Sequence, residues 1–163
     1  NDAVAFHVGV LGAGAWCPVH LEAFTQSSLV TQVTLAARNT TSLTARAAQF
    51  PIVTGTTTDH ELLLNDPSVD LIDIILPHDL HASHVIDALD AGKHVICEKP
   101  AGTNLADFDT MVKAARTSKR MLLVVMNQLY DPIIWKIREL VDTGAVGRPF
   151  LCVENSYSNA REN

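Results

Sequence analysis

The chain has 163 residues, of which 47% are hydrophobic and 18% charged, and its formal net charge is −6. This composition excludes a disordered chain, a collagen and a disulfide scaffold, and an acidic balance without a basic run argues against nucleic acid or an anionic membrane surface as a partner. No apolar run is long enough to span a membrane, and three cysteines without a C-x-x-C pair predict a reduced, cytoplasmic protein with small buried thiols.

Short apolar runs alternate with amphipathic stretches along the chain. The apolar runs predict six strands, at residues 6–11, 30–36, 52–53, 71–76, 95–96 and 121–126. The stretches that follow them predict helices, at about residues 16–26, 41–49, 59–64, 81–91, 104–118 and 133–141. Nearly continuous apolar strands that alternate with helices are typical of a parallel sheet covered on both faces. The sequence therefore predicts an α/β fold with a doubly wound, mostly parallel sheet.

A glycine-rich turn, Gly12-Ala13-Gly14, lies between the first predicted strand and the first predicted helix. In this context G-x-G is part of the dinucleotide-binding fingerprint, in which Gly12 permits the sharp turn and Gly14 lets the backbone approach a pyrophosphate. The N-terminus of the helix would supply free N–H groups and a positive dipole end for the phosphates. An ordinary tight turn is the alternative. Trp16 either covers the cofactor or packs against the next loop.

The second predicted strand ends in the run Ala36-Ala37-Arg38-Asn39-Thr40, which lacks the acidic residue that binds the ribose 2′-hydroxyl in NAD proteins. A small residue followed by arginine leaves room for a 2′-phosphate and supplies a guanidinium to bind it. The run therefore favours NADP over NAD, with Arg38 and Asn39 as contacts. A solvated loop arginine is the alternative.

Three histidines occur at a spacing of three in the run Pro77-His78-Asp79-Leu80-His81-Ala82-Ser83-His84. Helical geometry would bring His81 and His84 near one face, which suggests a metal site. Two such ligands without a nearby carboxylate make a poor zinc site, however. We therefore interpret the run as polar residues at the start of a helix, with no metal.

The run Cys97-Glu98-Lys99-Pro100 follows the fifth predicted strand. Ligands of open α/β sheets bind outside the carboxyl ends of the strands, so Lys99 is expected to point toward the cleft that contains the glycine-rich turn. A lysine there can donate a hydrogen bond to a substrate hydroxyl or carbonyl, or take part in proton transfer. A surface lysine before a turn-forming proline is the alternative.

Several motifs occur together from about residue 7 to residue 149. They are Gly12-x-Gly14 with His20, Pro77-x-x-x-His81, Ala91-Gly92-Lys93-His94-Val95 leading into Glu98-Lys99-Pro100, Asn127 with Asp131-Pro132, and Gly144-x-x-Gly147-x-Pro149. In this combination the chain resembles the N-terminal half of the glucose–fructose oxidoreductase, inositol dehydrogenase and rhizopine-catabolism (Gfo/Idh/MocA) family.

The resemblance implies a Rossmann domain that binds NAD or NADP, followed by an α/β domain with an open sheet that covers the nicotinamide and holds the substrate. Family members transfer a hydride between the nicotinamide and a secondary alcohol or ketone of a sugar, a cyclitol or a related compound. Lys99 matches the family's lysine that reaches substrate and cofactor, and it is the predicted catalytic residue. The predicted cofactor contacts are Gly12, Gly14, Ala15, Trp16, Arg38, Asn39, Leu76, Pro77, His78, His81, Glu98, Lys99 and Asn127.

Three residues depart from the family's pattern. Cys17 replaces the usual third glycine or alanine, His78 stands where asparagine is common, and Leu129 stands where an arginine often follows Asn127. Family chains are also longer than this one. Their acid–base residues, often Asp and His, lie in the second domain.

The organisation of the chain changes near residues 144–149. We expect a dinucleotide-binding Rossmann domain over residues 1–126, a linking helix and turn over residues 127–148, and the first strand of a truncated substrate domain over residues 149–163. The resemblance implies a homo-oligomer that assembles through the sheet of the second domain. An isolated nucleotide-binding module without complete catalytic activity is the alternative function.

Overall fold

The computed structural model describes residues 5–153. The chain divides into two compact units, with the boundary between Val125 and Met126. Within the described residues, no helix has both the length and the apolar character that crossing a membrane requires.

The first unit contains a six-stranded sheet in which every pair of neighbouring strands is parallel. Its strands are β1 (Phe6–Leu11), β2 (Val30–Ala36), β3 (Val53–Thr57), β4 (Leu71–Ile74), β5 (His94–Cys97) and β6 (Leu122–Val124). Their order in the sheet is β3-β2-β1-β4-β5-β6. The chain therefore starts at the centre, extends one half of the sheet, and returns to extend the other. This confirms the predicted doubly wound α/β fold.

Five helices connect these strands. They are α1 (Cys17–Gln26), α2 (Thr40–Gln49), α3 (Glu61–Asn65), α4 (His81–Asp90) and α5 (Leu105–Ser118), and a short 3-10 turn, His78–Leu80, precedes α4. Asparagine side chains cap the starts of two helices by accepting a backbone N–H. Asn39 accepts from Ser42 at 3.1 Å, and Asn104 accepts from Asp107 at 3.0 Å.

Two apolar clusters form the core of the first unit, and β1 contributes to both because alternate residues of a strand point to opposite faces. Val8 and Val10 pack with residues of α1 and α2, whereas Leu11 packs with residues of β4, α4 and α5. Asp73 in β4 carries a carboxylate that is fully buried. A buried acid in an apolar strand requires a specific reason.

The second unit contains a 3-10 turn, Asn127–Tyr130, and the helix α6 (Pro132–Asp142). Asp131 caps α6 by accepting the Ile133 N–H at 2.7 Å. The first strand of the second domain, expected over residues 149–163, falls largely on residues 154–163, which lie outside the described residues, so it stays a prediction. Within the described part of the chain, residues 150–153 are assigned to no strand.

Some predicted details were wrong. The third strand continues through threonines as far as Thr57, beyond the predicted residues 52–53, and β4 ends at Ile74 rather than at Leu76. Met111 on α5 is fully buried, whereas Leu105, near the start of the same helix, is 82% exposed. Cys17 and Cys97 are buried thiols as predicted, whereas Cys152 is exposed.

Candidate active site

A cleft of about 930 Å³ opens at the carboxyl ends of β1, β2 and β4. The chain leaves β1 toward one half of the sheet and enters β4 in the other half, and such reversals are where open α/β sheets bind ligands. The cleft is lined by Leu11, Gly12, Ala13, Gly14, Ala36, Ala37, Arg38, Asn39, Thr40, Ser42, Thr58, His60, Ile75, Leu76, Pro77, Leu80 and His84.

A smaller recess of about 210 Å³ adjoins the cleft and extends toward β5. The two spaces share four lining residues, and Gly14 is one of them. Gly14 therefore lies at the junction between a large compartment and a small one. The recess is lined by Gly14, Ala15, Trp16, Ile75, Leu76, Pro77, His78, Glu98 and Lys99.

The two glycines of the turn have different structural roles. Gly12 has φ = +114°, and a Cβ there would collide with the carbonyl oxygen of Ile75. Only glycine suits that backbone, which brings β1 and β4 close together. A Cβ at Gly14 would meet no atom within 4 Å. The fold therefore does not require glycine at position 14, and the open space beside it is available to a ligand.

The walls of the cleft carry no carboxylate. Its ionisable lining residues are Arg38, His60 and His84, all of which are bases. Arg38 is exposed, and none of the ion pairs among residues 5–153 involves it. The start of α2 also faces the cleft through Thr40 and Ser42. Basic side chains and a helix N-terminus together favour an anionic ligand.

Among the lining residues that were not predicted as cofactor contacts, two lie in the run interpreted as the polar start of a helix, and three belong to no motif named above. Their positions nevertheless follow one rule, since each lies just after a strand or near the start of a helix, where α/β sheets bind ligands. They are Ser42, Thr58, His60, Leu80 and His84.

A buried line of ionisable side chains lies beside the recess. Nδ1 of His20 lies 2.8 Å from Oδ2 of Asp73, and Nε2 lies 3.2 Å from Oε1 of Glu98. The side chains of His20, Asp73 and Glu98 are 9%, 0% and 14% exposed. The three side chains therefore connect α1, β4 and the end of β5. Glu98 also forms part of the recess wall, so His20 and Asp73 lie behind that wall. In the sequence, His20 belongs to the spacing of the glycine-rich motif, whereas no motif marks Asp73.

Burial and the neighbouring charges shift the pKa values around this line. Burial by itself lowers the pKa of His20, but the hydrogen bonds and charges of Asp73 and Glu98 raise it overall. Burial raises the pKa of Asp73, although the hydrogen bond from His20 opposes this shift. Burial also raises the pKa of the Cys17 thiol to about 11 and that of Cys97 to about 12. Both thiols are therefore protonated at neutral pH and are poor nucleophiles.

Residues 6–126 match an oxidoreductase family with an NAD-binding Rossmann fold, GFO_IDH_MocA. The chain belongs to this family. The family resemblance and the Rossmann fold predicted from the sequence are thereby confirmed.

Three Gfo/Idh/MocA proteins illustrate the similarity. The chain is 37% identical to myo-inositol 2-dehydrogenase of Thermotoga maritima over 90 residues. This alignment covers 55% of this chain and 27% of the relative. The chain is 35% identical over 98 residues to D-xylose 1-dehydrogenase (NADP(+)) of Hypocrea jecorina, with coverages of 60% and 25%. The crystal structure of the WlbA dehydrogenase from Bordetella pertussis, in complex with NADH and UDP-GlcNAcA, superposes with a TM-score of 0.82 at 25% identity and coverages of 88% and 41%.

The chain thus spans from about a quarter to two fifths of the length of these Gfo/Idh/MocA proteins.

Most of the predicted cofactor contacts line the cleft or the recess, but two do not. His81 is fully buried, and each of its ring nitrogens lies 2.8 Å from a carbonyl oxygen, Nδ1 from Pro100 and Nε2 from Leu76. A side chain enclosed in this way cannot touch a cofactor, so that prediction was wrong. Asn127 starts the 3-10 turn of the second unit, and its cofactor contact stays a prediction.

The run Ala91-Gly92-Lys93-His94-Val95, one of the motifs on which the family resemblance rests, has a structural role here. Lys93 is buried and donates hydrogen bonds from Nζ to the carbonyl oxygens of Asp66 and, at 2.9 Å, Val69. Nδ1 of His94 accepts the Met121 N–H at 3.2 Å. Lys93 thereby binds the segment that precedes β4, and His94 binds the segment that precedes β6. Both contacts lie at the amino ends of the strands, whereas the cleft lies at their carboxyl ends.

Proposed function

We propose that the cleft and recess bind NADP, and that the full-length protein transfers a hydride between the nicotinamide and a secondary alcohol or ketone of a sugar or cyclitol. The observation that carries the proposal is the two-compartment shape with Gly14 at its junction and a basic, carboxylate-free outer wall. The outer compartment suits an adenosine bearing a 2′-phosphate. The pyrophosphate would cross at Gly14, which has no side chain and lies shortly before α1 begins at Cys17. The relatives named above act, by their names, on a cyclitol and on a sugar.

The recess would then hold the nicotinamide riboside. Bound NADP supplies the hydride acceptor or donor at the nicotinamide ring. The chain's own contribution is to orient the reacting groups: Trp16 and Pro77 form walls of the recess, and Glu98 and Lys99 form its polar end. When an alcohol is oxidised, its carbon passes the hydride to the nicotinamide and its hydroxyl loses a proton. That proton would pass to an acid–base residue of the second domain, where the family resemblance places such residues. The Lys99 ammonium is proposed to hydrogen-bond the hydroxyl oxygen, which stabilises the negative charge that develops on it.

The test of this proposal is turnover of the full-length protein with a panel of cyclitols, aldoses and their ketones, each with NADP and with NAD. We expect oxidation of at least one ring secondary alcohol, followed as formation of the reduced cofactor. Binding of NADP without turnover of any alcohol or ketone would favour the alternative of a nucleotide-binding module.

Arg38 is expected to set the preference between the two cofactors. A charge-assisted hydrogen bond to the 2′-phosphate would favour NADP by about tenfold, the lower end of its range, because solvent screens part of the interaction. The Arg38→Ala variant should therefore bind NADP about tenfold more weakly and NAD with unchanged affinity. Dissociation constants for both cofactors, measured by calorimetry, check this.

Arg116→Ala is the matched control, because Arg116 is an exposed arginine on α5 that lines neither compartment. Its two dissociation constants should equal those of the wild type. Equal affinities of the wild type for NADP and NAD would identify Arg38 as a solvated loop residue.

A further inference from the structure

His20 lies between two carboxylates, and its contacts specify its protonation state. The Nδ1–Oδ2 distance to Asp73 is 2.8 Å, and the Nε2–Oε1 distance to Glu98 is 3.2 Å. When Asp73 and Glu98 are both ionised they accept hydrogen bonds only, so a neutral imidazole, which has one N–H, would present a lone pair to one of them. An imidazolium donates to both. This geometry agrees with the raised pKa of His20, to which Asp73 and Glu98 both contribute.

The other titratable groups near this line do not compete for its proton. Cys17 lies one turn before His20 on α1, and Cys97 ends β5. Burial raises the pKa of both thiols, so both are neutral at pH 7. Asp73 from β4 and Glu98 from the end of β5 are therefore the charges that determine the state of His20.

Glu98 is held at both of its carboxylate oxygens. Oε1 faces His20, and Oε2 accepts the backbone N–H of Lys99 at 3.0 Å. On the other side of Lys99, the carbonyl oxygen of Pro100 lies 2.8 Å from Nδ1 of His81. The backbone at Lys99 is thus fixed from both sides by buried histidines, while the Lys99 side chain stays exposed at the recess.

The line of side chains ends inside the protein. Asp73 is fully buried, and its second oxygen, Oδ1, has no hydrogen-bond partner among residues 5–153. A proton passed from Glu98 through His20 would reach Asp73 and go no further. The arrangement therefore suits the holding of a charge in place and not the conduction of protons to solvent.

We propose that His20 is a positioning residue, a doubly protonated imidazole that Asp73 orients and that fixes the Glu98 carboxylate at the wall of the recess. Through Glu98 it also sets the backbone that presents Lys99 to the substrate. This inference rests on the proposed function, since it concerns the efficiency of hydride transfer in that recess.

Two substitutions of His20 in the full-length protein separate positioning from folding. In His20→Gln the side-chain amide nitrogen stands near the position of Nε2 and keeps the hydrogen bond to Glu98. In His20→Asn it stands near the position of Nδ1 and keeps only the contact to Asp73. Because small displacements of reacting groups lower turnover strongly, we expect kcat to fall more than about tenfold in His20→Asn and less than about threefold in His20→Gln. The dissociation constant for NADP should be unchanged in both.

His7→Gln is the matched control, since His7 is also a buried histidine with both ring nitrogens hydrogen-bonded, to Ser68 and Thr34, at the start of β1. It is expected to lower the melting temperature and leave kcat unchanged. Equal losses of kcat in His20→Gln and His20→Asn, or an unchanged kcat in His20→Asn, would overturn the proposal.

A measurement on the wild-type protein makes the test independent of the variants' stability. The ¹⁵N and ¹H resonances of the His20 ring, assigned by comparison with His20→Gln, should show two ring N–H groups at pH 7.5. A ring with one N–H would refute the proposal. This spectrum does not depend on turnover, so a wild-type protein inactive on every alcohol tested would count against the proposed function alone.

Discussion

The Gly14→Val protein is expected to fold normally and to lose its affinity for the cofactor. A Cβ at position 14 meets no protein atom within 4 Å, and the backbone there does not need the left-handed conformation. The branched side chain would instead fill the junction of the cleft and recess, where the pyrophosphate is proposed to cross. Forcing a ligand against extra methyl groups costs about 3 kcal/mol, which corresponds to a loss of affinity of roughly a hundredfold. Calorimetric titration with NADP, alongside a melting curve, measures both quantities.

Gly12→Ala provides the contrast within the same turn. Its Cβ would collide with the Ile75 carbonyl oxygen, and alanine at φ = +114° is strained whatever the space. We expect a loss of unfolding free energy of roughly 3 kcal/mol or more and hence a lower melting temperature. If Gly14→Val bound NADP like the wild type while remaining folded, the junction would not be the path of the pyrophosphate.

Lys99→Met should lower turnover far more than it lowers stability. Methionine keeps most of the length of the side chain and removes the ammonium that is proposed to bind the reacting oxygen. Removing one hydrogen-bond donor that stabilises charge developing on the reacting oxygen costs about 100- to 1,000-fold in kcat. Lys99 is exposed and makes no ion pair within the described part of the chain, so the melting temperature should not change. Steady-state kinetics of the full-length protein measure kcat, and a melting curve measures the stability.

Lys113→Met controls for the loss of a surface charge, because Lys113 is exposed on α5 and lines neither compartment. It should keep wild-type kinetics and stability. Normal turnover in the Lys99→Met protein would support the alternative, in which Lys99 is a surface lysine that precedes a proline.

Much of the fold could be predicted from the sequence because periodicity and turn chemistry are local properties. The first two strands have the predicted bounds, Phe6–Leu11 and Val30–Ala36, since each is rich in β-branched and apolar residues and is followed by turn-forming residues. The need for glycine at position 12 followed from its place between a strand and a helix. The run at residues 53–57 was missed because Thr54 and Gly55 interrupt the apolar pattern, although β-branched threonines suit an edge strand.

The parts of the site that could not be predicted depend on contacts between distant segments. Asp73 and Glu98 meet at His20 only because β4 and β5 are neighbours in parallel register, with Ile74 opposite Cys97. No local pattern specifies which strands are neighbours. The burial of His81 was missed for a similar reason, since its partners are backbone carbonyl oxygens, which have no signature in the sequence.

The central position of β1 has a consequence for the nascent chain. Its second neighbour, β4, leaves the ribosome only after β2, β3 and three helices. Until then one edge of β1 has unpaired N–H and C=O groups, and such an edge can pair with another polypeptide. Pairing between strands that are distant in sequence is also slow. The growing chain is therefore most prone to aggregate until Ile74 has emerged, and a chaperone that shields β1 would act in that interval.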